Sequence, residues 1–543
     1  MPTVTINGQQ VAVEAGTTII SAAEKIGVVI PHYCYHPGLS IAGSCRMCQV
    51  QIEGQRRLQI ACNTPVTEGM IVQTESDWVQ KARQTVLEFL LLNHPLDCPV
   101  CDQAGECGLQ DYYMEYGRYQ SRFYENKEKK QKALPIGPHV ILDQERCILC
   151  SRCVRFCSEI TKTHELGILN RGNHSAIDTF PGMELTNKYS GNVVDICPVG
   201  ALTDRDFRFK CRVWYLEKGK SICPGCSTGC NIEVHYNLRR PYLANGERVM
   251  RLKPRYNEAV NQWWMCDEGR YGYKFIDAPD RLLEPYLRHG EGLASVDWDT
   301  ASLQVTGQLK RILETYGPDS VGVIASPKLT NEDLYLVKKF FNEQLGVPHI
   351  DFKVPQAGEV SSDNFLMKAD KNPNTLGAVK IGLSPQNGGF TVEEMLNAAK
   401  EGKLKALYII NHDLVASFGE ERISEALSTL ELVVLQLTNL NATARYAHAI
   451  LPGAVYVERD GTFTNDQGRV QRISQILEPL GESLPAWKIL LKLAEGMGVT
   501  YPYGTAGEIF KEISEKVTPF KELTYEGIGD QGMMLSGEVS HVD

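Results

Sequence analysis

Residues 147–157 read CILCSRCVRFC, and residues 196–202 read ICPVGAL. Three cysteines within seven residues suit the corners of an iron–sulfur cube better than one zinc tetrahedron, and a distant Cys-Pro supplies the fourth corner. The set is Cys147, Cys150, Cys153 and Cys197, spaced C-x2-C-x2-C-x43-C. Cys157 completes a C-x2-C-x2-C-x3-C run. In a two-cube protein it would ligate the second cube, but a second cysteine triplet is missing, so it reads as a spare buried thiol. Zinc stays open as the alternative metal.

Working outward, the chain has 543 residues, too many for one core, and several domains are expected. Its 17 cysteines all lie between Cys34 and Cys266. A long chain without an export signal points to metal ligation rather than disulfides. A net charge of −10 argues against a nucleic-acid partner. No apolar run has the length of a membrane span; VLEFLLL stops at Asn93. The chain therefore reads as cytosolic, or as peripheral on the cytosolic face of a membrane complex.

Three further ligand sets follow the same logic. Cys34, Cys45, Cys48 and Cys62 are spaced C-x10-C-x2-C-x13-C, close in kind to plant-type [2Fe–2S] ligation but with a longer first loop. Gly43 and Ser44 allow that loop to turn its N–H groups toward sulfur. Cys223, Cys226, Cys230 and Cys266 form C-x2-C-x3-C-x35-C, which by itself fits a cube or a zinc ribbon. The stretch NHPLDCPVCDQAGEC offers only Cys98, Cys101 and Cys107. His94 is the near candidate for the fourth ligand, since imidazole can replace thiolate on cluster iron. The competing role for His94 is a cap on the preceding helix, and the competing ligand is Cys211, more than a hundred residues away.

Local patterns place these sets. Asn7-Gly8 between alternating apolar residues predicts a hairpin, and TTIISAAEKIG a short helix from Thr to Gly27. Residues 76–93 predict an amphipathic helix with Val79, Ala82, Val86 and Leu90 on its apolar stripe. Residues 112–135 read as an exposed connector. From about 290, VGVIA, ALYII and LVVLQL read as buried parallel strands between helices, an α/β region.

The order of the sets, with phrases such as SGNVVDICPVGALT and RGNHSAIDTF, resembles the large (75 kDa-type) iron–sulfur subunit family of respiratory complex I, the NADH–quinone oxidoreductase. The C-terminal half, with CDEGRYGYKFIDAPDRLLEPYLR and AILPGAVYVERDGTFTNDQGRVQ, resembles the molybdopterin oxidoreductase fold. The resemblance implies a multidomain α+β and α/β protein. Its parts are a β-grasp [2Fe–2S] domain over 1–78, a [4Fe–4S] domain with one histidine and three cysteines over 79–118, and a ferredoxin-like [4Fe–4S] domain over 138–215. A [4Fe–4S] domain of the kind found in molybdenum enzymes follows over 216–272, then an α/β domain over 273–543. It also implies that His94 is a cluster ligand.

No cysteine follows Cys266, and HIDFKVPQAGE stands where a formate dehydrogenase places its metal ligand. No molybdopterin is expected, and the α/β half is read as a shortened scaffold. No G-x-G-x-x-G for a nicotinamide or flavin and no P-loop are read in the chain, so no substrate site of its own is expected. The implied function is a wire: one [2Fe–2S] and three [4Fe–4S] clusters relay electrons from a flavin- and NADH-binding subunit to ferredoxin-like subunits and on to quinone. The Cys223–Cys266 cluster is expected off that line, and the membrane arm is an indirect partner. The rival readings are a molybdenum- or tungsten-dependent formate dehydrogenase, a hydrogenase-associated diaphorase subunit and a zinc-stabilised scaffold.

Overall fold

A computed structural model describes residues 1–290, 292–386 and 388–537. Its contacts divide the chain into two units, Met1–Leu216 with Asn237–Met250, and Glu217–Tyr236 with the chain from Arg251 on.

The first unit begins with a five-stranded sheet in the order Gln9–Ala12, Thr3–Ile6, Met70–Gln73, Gln49–Ile52, Gln59–Ile60. Asn7 (φ 50°) and Gly8 (φ 84°) are both left-handed, as a two-residue primed turn requires. Thr3–Ile6 then runs parallel to Met70–Gln73, with helix Ile19–Lys25 as the crossover, capped by Thr18. Val4, Ile6, Ile19, Ala22, Val50 and Val72 close the core of this β-grasp fold.

The next helix is Asp77–Leu91, with Ser76 as N-cap. Its buried spine differs from the expected stripe: Val79, Arg83 and Leu87 are buried, while Ala82, Val86 and Leu90 lie at its margin. A fully buried arginine defeats a hydrophobicity pattern. Arg83 is tolerated because its guanidinium bonds Glu75 at 2.9 Å and lies over the Tyr116 ring. The expected connector also begins later than its aromatic composition suggested, since Gly108–Tyr116 is a helix. The ferredoxin-like part follows, with a sheet ordered Leu202–Asp204, Val140–Leu142, Leu134–Pro135 and a hairpin of Leu166–Leu169 with Ala176–Thr179.

The second unit is built on a seven-stranded sheet ordered Gly292–Ser295, Tyr286–His289, Ala449–Pro452, Leu432–Leu437, Ala406–Ile410, Val321–Ala325, His349–Asp351. The last five run parallel. VGVIA, ALYII and LVVLQL are buried throughout. Val321, Val323 and Ala325 enter the core on one face and Ile324 that on the other, so the sheet is covered on both sides. An antiparallel hairpin of Glu217–Ile222 with Asn231–Tyr236 and an antiparallel sheet of Gly461–Thr464, Arg469–Ile473 and Met533–Met534 complete the unit. Among the described residues, no helix is long and apolar enough to cross a membrane.

Candidate iron–sulfur sites

The four thiols of the first set meet as two pairs. Cys34 contacts Cys45, and Cys48 contacts Cys62, within hydrogen-bonding reach of each other's sulfur. Within each pair one thiol turns acidic at the other's expense. Cys34 is held low by the Cys45 thiol and then by Ser44, and Cys62 by the Cys48 thiol. Gly43 is left-handed, as the loop reading expects, and the Cys34 amide points at the Cys45 sulfur at 3.4 Å. Two pairs suit two irons, each held by two thiolates, better than one four-fold zinc site.

Cys147, Cys150, Cys153 and Cys197 line one closed pocket with Leu142, Ile177 and Val199. The turn between the first three needs Leu149 (φ 54°) and Ser151 (φ 61°) in the left-handed region, a strain that no motif announces. One return is the Leu149 amide, which reaches the Cys147 sulfur at 3.4 Å. Burial pushes the Cys147 thiol up to about 12 and the Cys197 thiol up to about 11, so they ionise only with a cation to bind. Cys157 is buried just beyond, its thiol raised to about 12 by burial and then by Glu165.

His94 decides the opening of the third site. Its Nδ1 is buried and has no hydrogen-bond partner. The capping role belongs to Lys127, whose ammonium donates to the carbonyls of Leu91 (2.7 Å) and Leu92 (2.8 Å). Burial, with Lys127 and Arg146 nearby, lowers the imidazole to about 4, so it is neutral and able to ligate at neutral pH. His94, Cys98 and Cys107 line one cavity of about 710 Å³. Cys101 faces Gly200, where an added Cβ would stand 2.2 Å from its sulfur.

Sequence reading did not find the groups that hold this loop. Arg146 grips Asp97 at 2.9 Å, and Lys132 does so at 2.7 Å. The guanidinium of Arg212 takes the carbonyls of Pro99 and Cys101, each at 2.6 Å. Cys211 is engaged elsewhere: its thiol donates to the Arg212 carbonyl and accepts from Asn237. These partners are remote in sequence, and a lone Arg or Lys carries no local signal.

These three sets share one apolar cluster. Tyr33, Met47, Leu87, Leu109, Val199 and Ala201 pack with Cys34, Cys45, Cys107, Cys147, Cys150 and Cys197. In the second unit, Cys223 directly follows strand Glu217–Ile222 and Cys230 directly precedes strand Asn231–Tyr236, the two joined by Cys223 N–H to Cys230 O at 2.8 Å. Cys266 caps helix Asp267–Tyr271, accepting from the Gly269 amide at 3.3 Å. All four line one pocket, and a Cβ on Gly269 would come within 3.0 Å of the Cys223 sulfur.

The chain aligns with the mitochondrial NADH-ubiquinone oxidoreductase 78 kDa subunit of Candida albicans at 31% identity, over 92% of its own length and 83% of that protein's. The chain belongs to the G-type iron–sulfur subunit family of NADH–quinone oxidoreductase. It is 34% identical to the G-type subunit of Rickettsia bellii over 84% of its length and 40% identical to that of Streptomyces coelicolor over 65%. It spans 66% and 40%, respectively, of those two proteins.

Family models divide the chain along the pattern of this family. A 2Fe-2S iron-sulfur cluster binding domain matches 1–77, and the NADH-ubiquinone oxidoreductase-G iron-sulfur binding region matches 83–122. The NADH-quinone oxidoreductase subunit 3 ferredoxin-like domain matches 137–203. The molybdopterin oxidoreductase Fe4S4 domain matches 216–278, and the molybdopterin oxidoreductase model matches 281–365 and 353–496. An NAD+-reducing [NiFe]-hydrogenase structure is similar over 39% of the chain, with 32% identity and a TM-score of 0.35.

Proposed function

We propose that this chain relays electrons within an NADH–quinone oxidoreductase, holding one [2Fe–2S] and three [4Fe–4S] clusters and no molybdopterin. The observation that carries the reading is the shared apolar cluster joining three thiol sets. Side chains that bring three redox sites together and exclude water serve electron transfer; a zinc scaffold has no such need.

In this reading Cys34, Cys45, Cys48 and Cys62 hold the [2Fe–2S] cluster. The [4Fe–4S] clusters belong to His94, Cys98, Cys101 and Cys107; to Cys147, Cys150, Cys153 and Cys197; and to Cys223, Cys226, Cys230 and Cys266. When bound, such clusters take up and release single electrons. The protein's part is to insulate and orient: buried Leu142, Ile177 and Val199 keep water from the Cys147 set, and Lys127 leaves the His94 imidazole free. The partners are a flavin- and NADH-binding subunit on one side and ferredoxin-like subunits on the other. Exposed Cys98, with Leu96 and Val100 also exposed, would face the acceptor subunit in this reading. The chain would lie peripherally on the cytoplasmic side of the membrane that carries the complex.

The test is iron and acid-labile sulfide per chain, with EPR of the anaerobically reduced protein. Roughly 14 iron atoms, with one [2Fe–2S] and three [4Fe–4S] signals, support the four sets. Roughly ten would leave one cubane set empty, Cys223–Cys266 first among the suspects. Zinc in place of iron would end the electron-transfer reading.

A further inference from the structure

Arg152 lies inside the C-x2-C-x2-C run, between Cys150 and Cys153. One arm of its guanidinium donates to the Ile196 carbonyl at 3.0 Å, the residue before Cys197. The other donates to the carbonyl of Tyr35, the residue after Cys34. Its Nε–H is buried and has no partner. Among the described residues no carboxylate pairs with it, and it is the one charged side chain on the wall of the Cys147 pocket. Its charge acts on the sulfurs of Cys150 and Cys197, and on those of Cys34 and Cys45.

A buried cation held only by carbonyls is costly unless an anion completes its surroundings. Two anions are available in the assignment above. A [2Fe–2S] centre or a [4Fe–4S] centre with four thiolates is net negative, and each becomes more negative by one charge on reduction. We propose that Arg152 is a shared counter-charge that raises the reduction potentials of both centres flanking it, the Cys34 set and the Cys147 set. It is a positioning and tuning residue: it ligates neither centre, and its guanidinium ties the two ligand loops together. A fixed positive charge stabilises the reduced form of each centre, and an N–H aimed at sulfur acts in the same direction. One side chain then keeps the two potentials in step.

This inference rests on the ligand assignment in the proposed function, and the experiment separates the two. Arg152→Gln and Arg152→Lys are made in the full chain within the assembled complex. Iron content and EPR redox titration of both centres are recorded under anaerobic conditions. In Arg152→Gln, with wild-type iron, both midpoints should move to more negative values. Arg152→Lys, which keeps the charge but loses the fork and the Nε–H, should shift both by less. Wild-type iron with either midpoint unmoved in the Gln variant overturns the proposal. If the Gln variant loses iron, the equally neutral Arg152→Met decides: a negative shift of both centres with wild-type iron supports the shared role, and wild-type midpoints overturn it. Iron loss in both neutral variants also overturns it, leaving Arg152 a structural staple. Absence of both EPR signals from the wild-type protein would instead sink the ligand assignment.

Discussion

The amide of Gly108 donates to the carbonyl of Pro198 at 3.2 Å. These residues follow Cys107 and Cys197 directly, so one main-chain bond joins the His94 site to the Cys147 site. Gly200, two residues on, packs against the Cys101 sulfur. The two sites are thus built as one piece, which suits a relay whose rate depends on fixed spacing.

Gly200→Ala tests that joint. A methyl 2.2 Å from the Cys101 sulfur and 3.1 Å from Gln103 Cβ cannot be housed without moving the loop. The variant should lose roughly four iron atoms per chain, all from the His94 centre, and keep the [2Fe–2S] EPR signal. Unchanged iron would show that the loop adapts.

His94→Cys should keep the His94 cluster and lower its midpoint potential, because thiolate replaces a neutral imidazole. EPR redox titration reads the shift. An unchanged midpoint would mean that the unpartnered Nδ1 is not a ligand atom.

Cys157→Ala should leave iron content and all EPR signals as in the wild type. Its thiol is fully buried and held protonated by burial, so only a small packing loss of about 1–2 kcal/mol is expected. Loss of a [4Fe–4S] signal would make Cys157 a ligand.

Arg281 and Glu458 form a buried pair at 2.9 Å, their side chains 2% and 0% exposed. Arg281→Leu removes the guanidinium and leaves the buried carboxylate with the Val455 amide at 3.0 Å, and it should destabilise the second unit by about 3–5 kcal/mol in denaturant titration. A change below about 1 kcal/mol would show that the charge pair is not needed for stability.

Glu332 carries a pH dependence. It is fully buried, and burial raises its carboxyl to about 7 despite hydrogen bonds from Thr462 N and Oγ1, each 2.9 Å. The native state then holds a proton that the unfolded chain releases above its ordinary carboxylate range. Stability of the second unit should fall as pH rises through about 5 to 7, by up to about 1.4 kcal/mol per pH unit, and level off above. Glu332→Gln should flatten that slope, and an unaltered slope would assign it to another group.

Sequence by itself determined many of the elements and the candidate ligand sets. Asn7-Gly8 demands a primed turn, VGVIA and LVVLQL can be satisfied only as strands buried on both faces, and cysteine spacing brings each close-set trio to one place. These are local requirements, set by backbone sterics and by the period of the side chains. Tertiary structure alone decided the rest. Arg83 hides in an apolar helix face because Glu75 and Tyr116 meet it there. His94 is left free because Lys127, 33 residues away, takes the helix carbonyls. Arg152 and Arg212 act on loops far along the chain. A charged side chain has no preferred sequence period, and its role is set by whichever buried carbonyls, rings or sulfurs the folded chain brings to it.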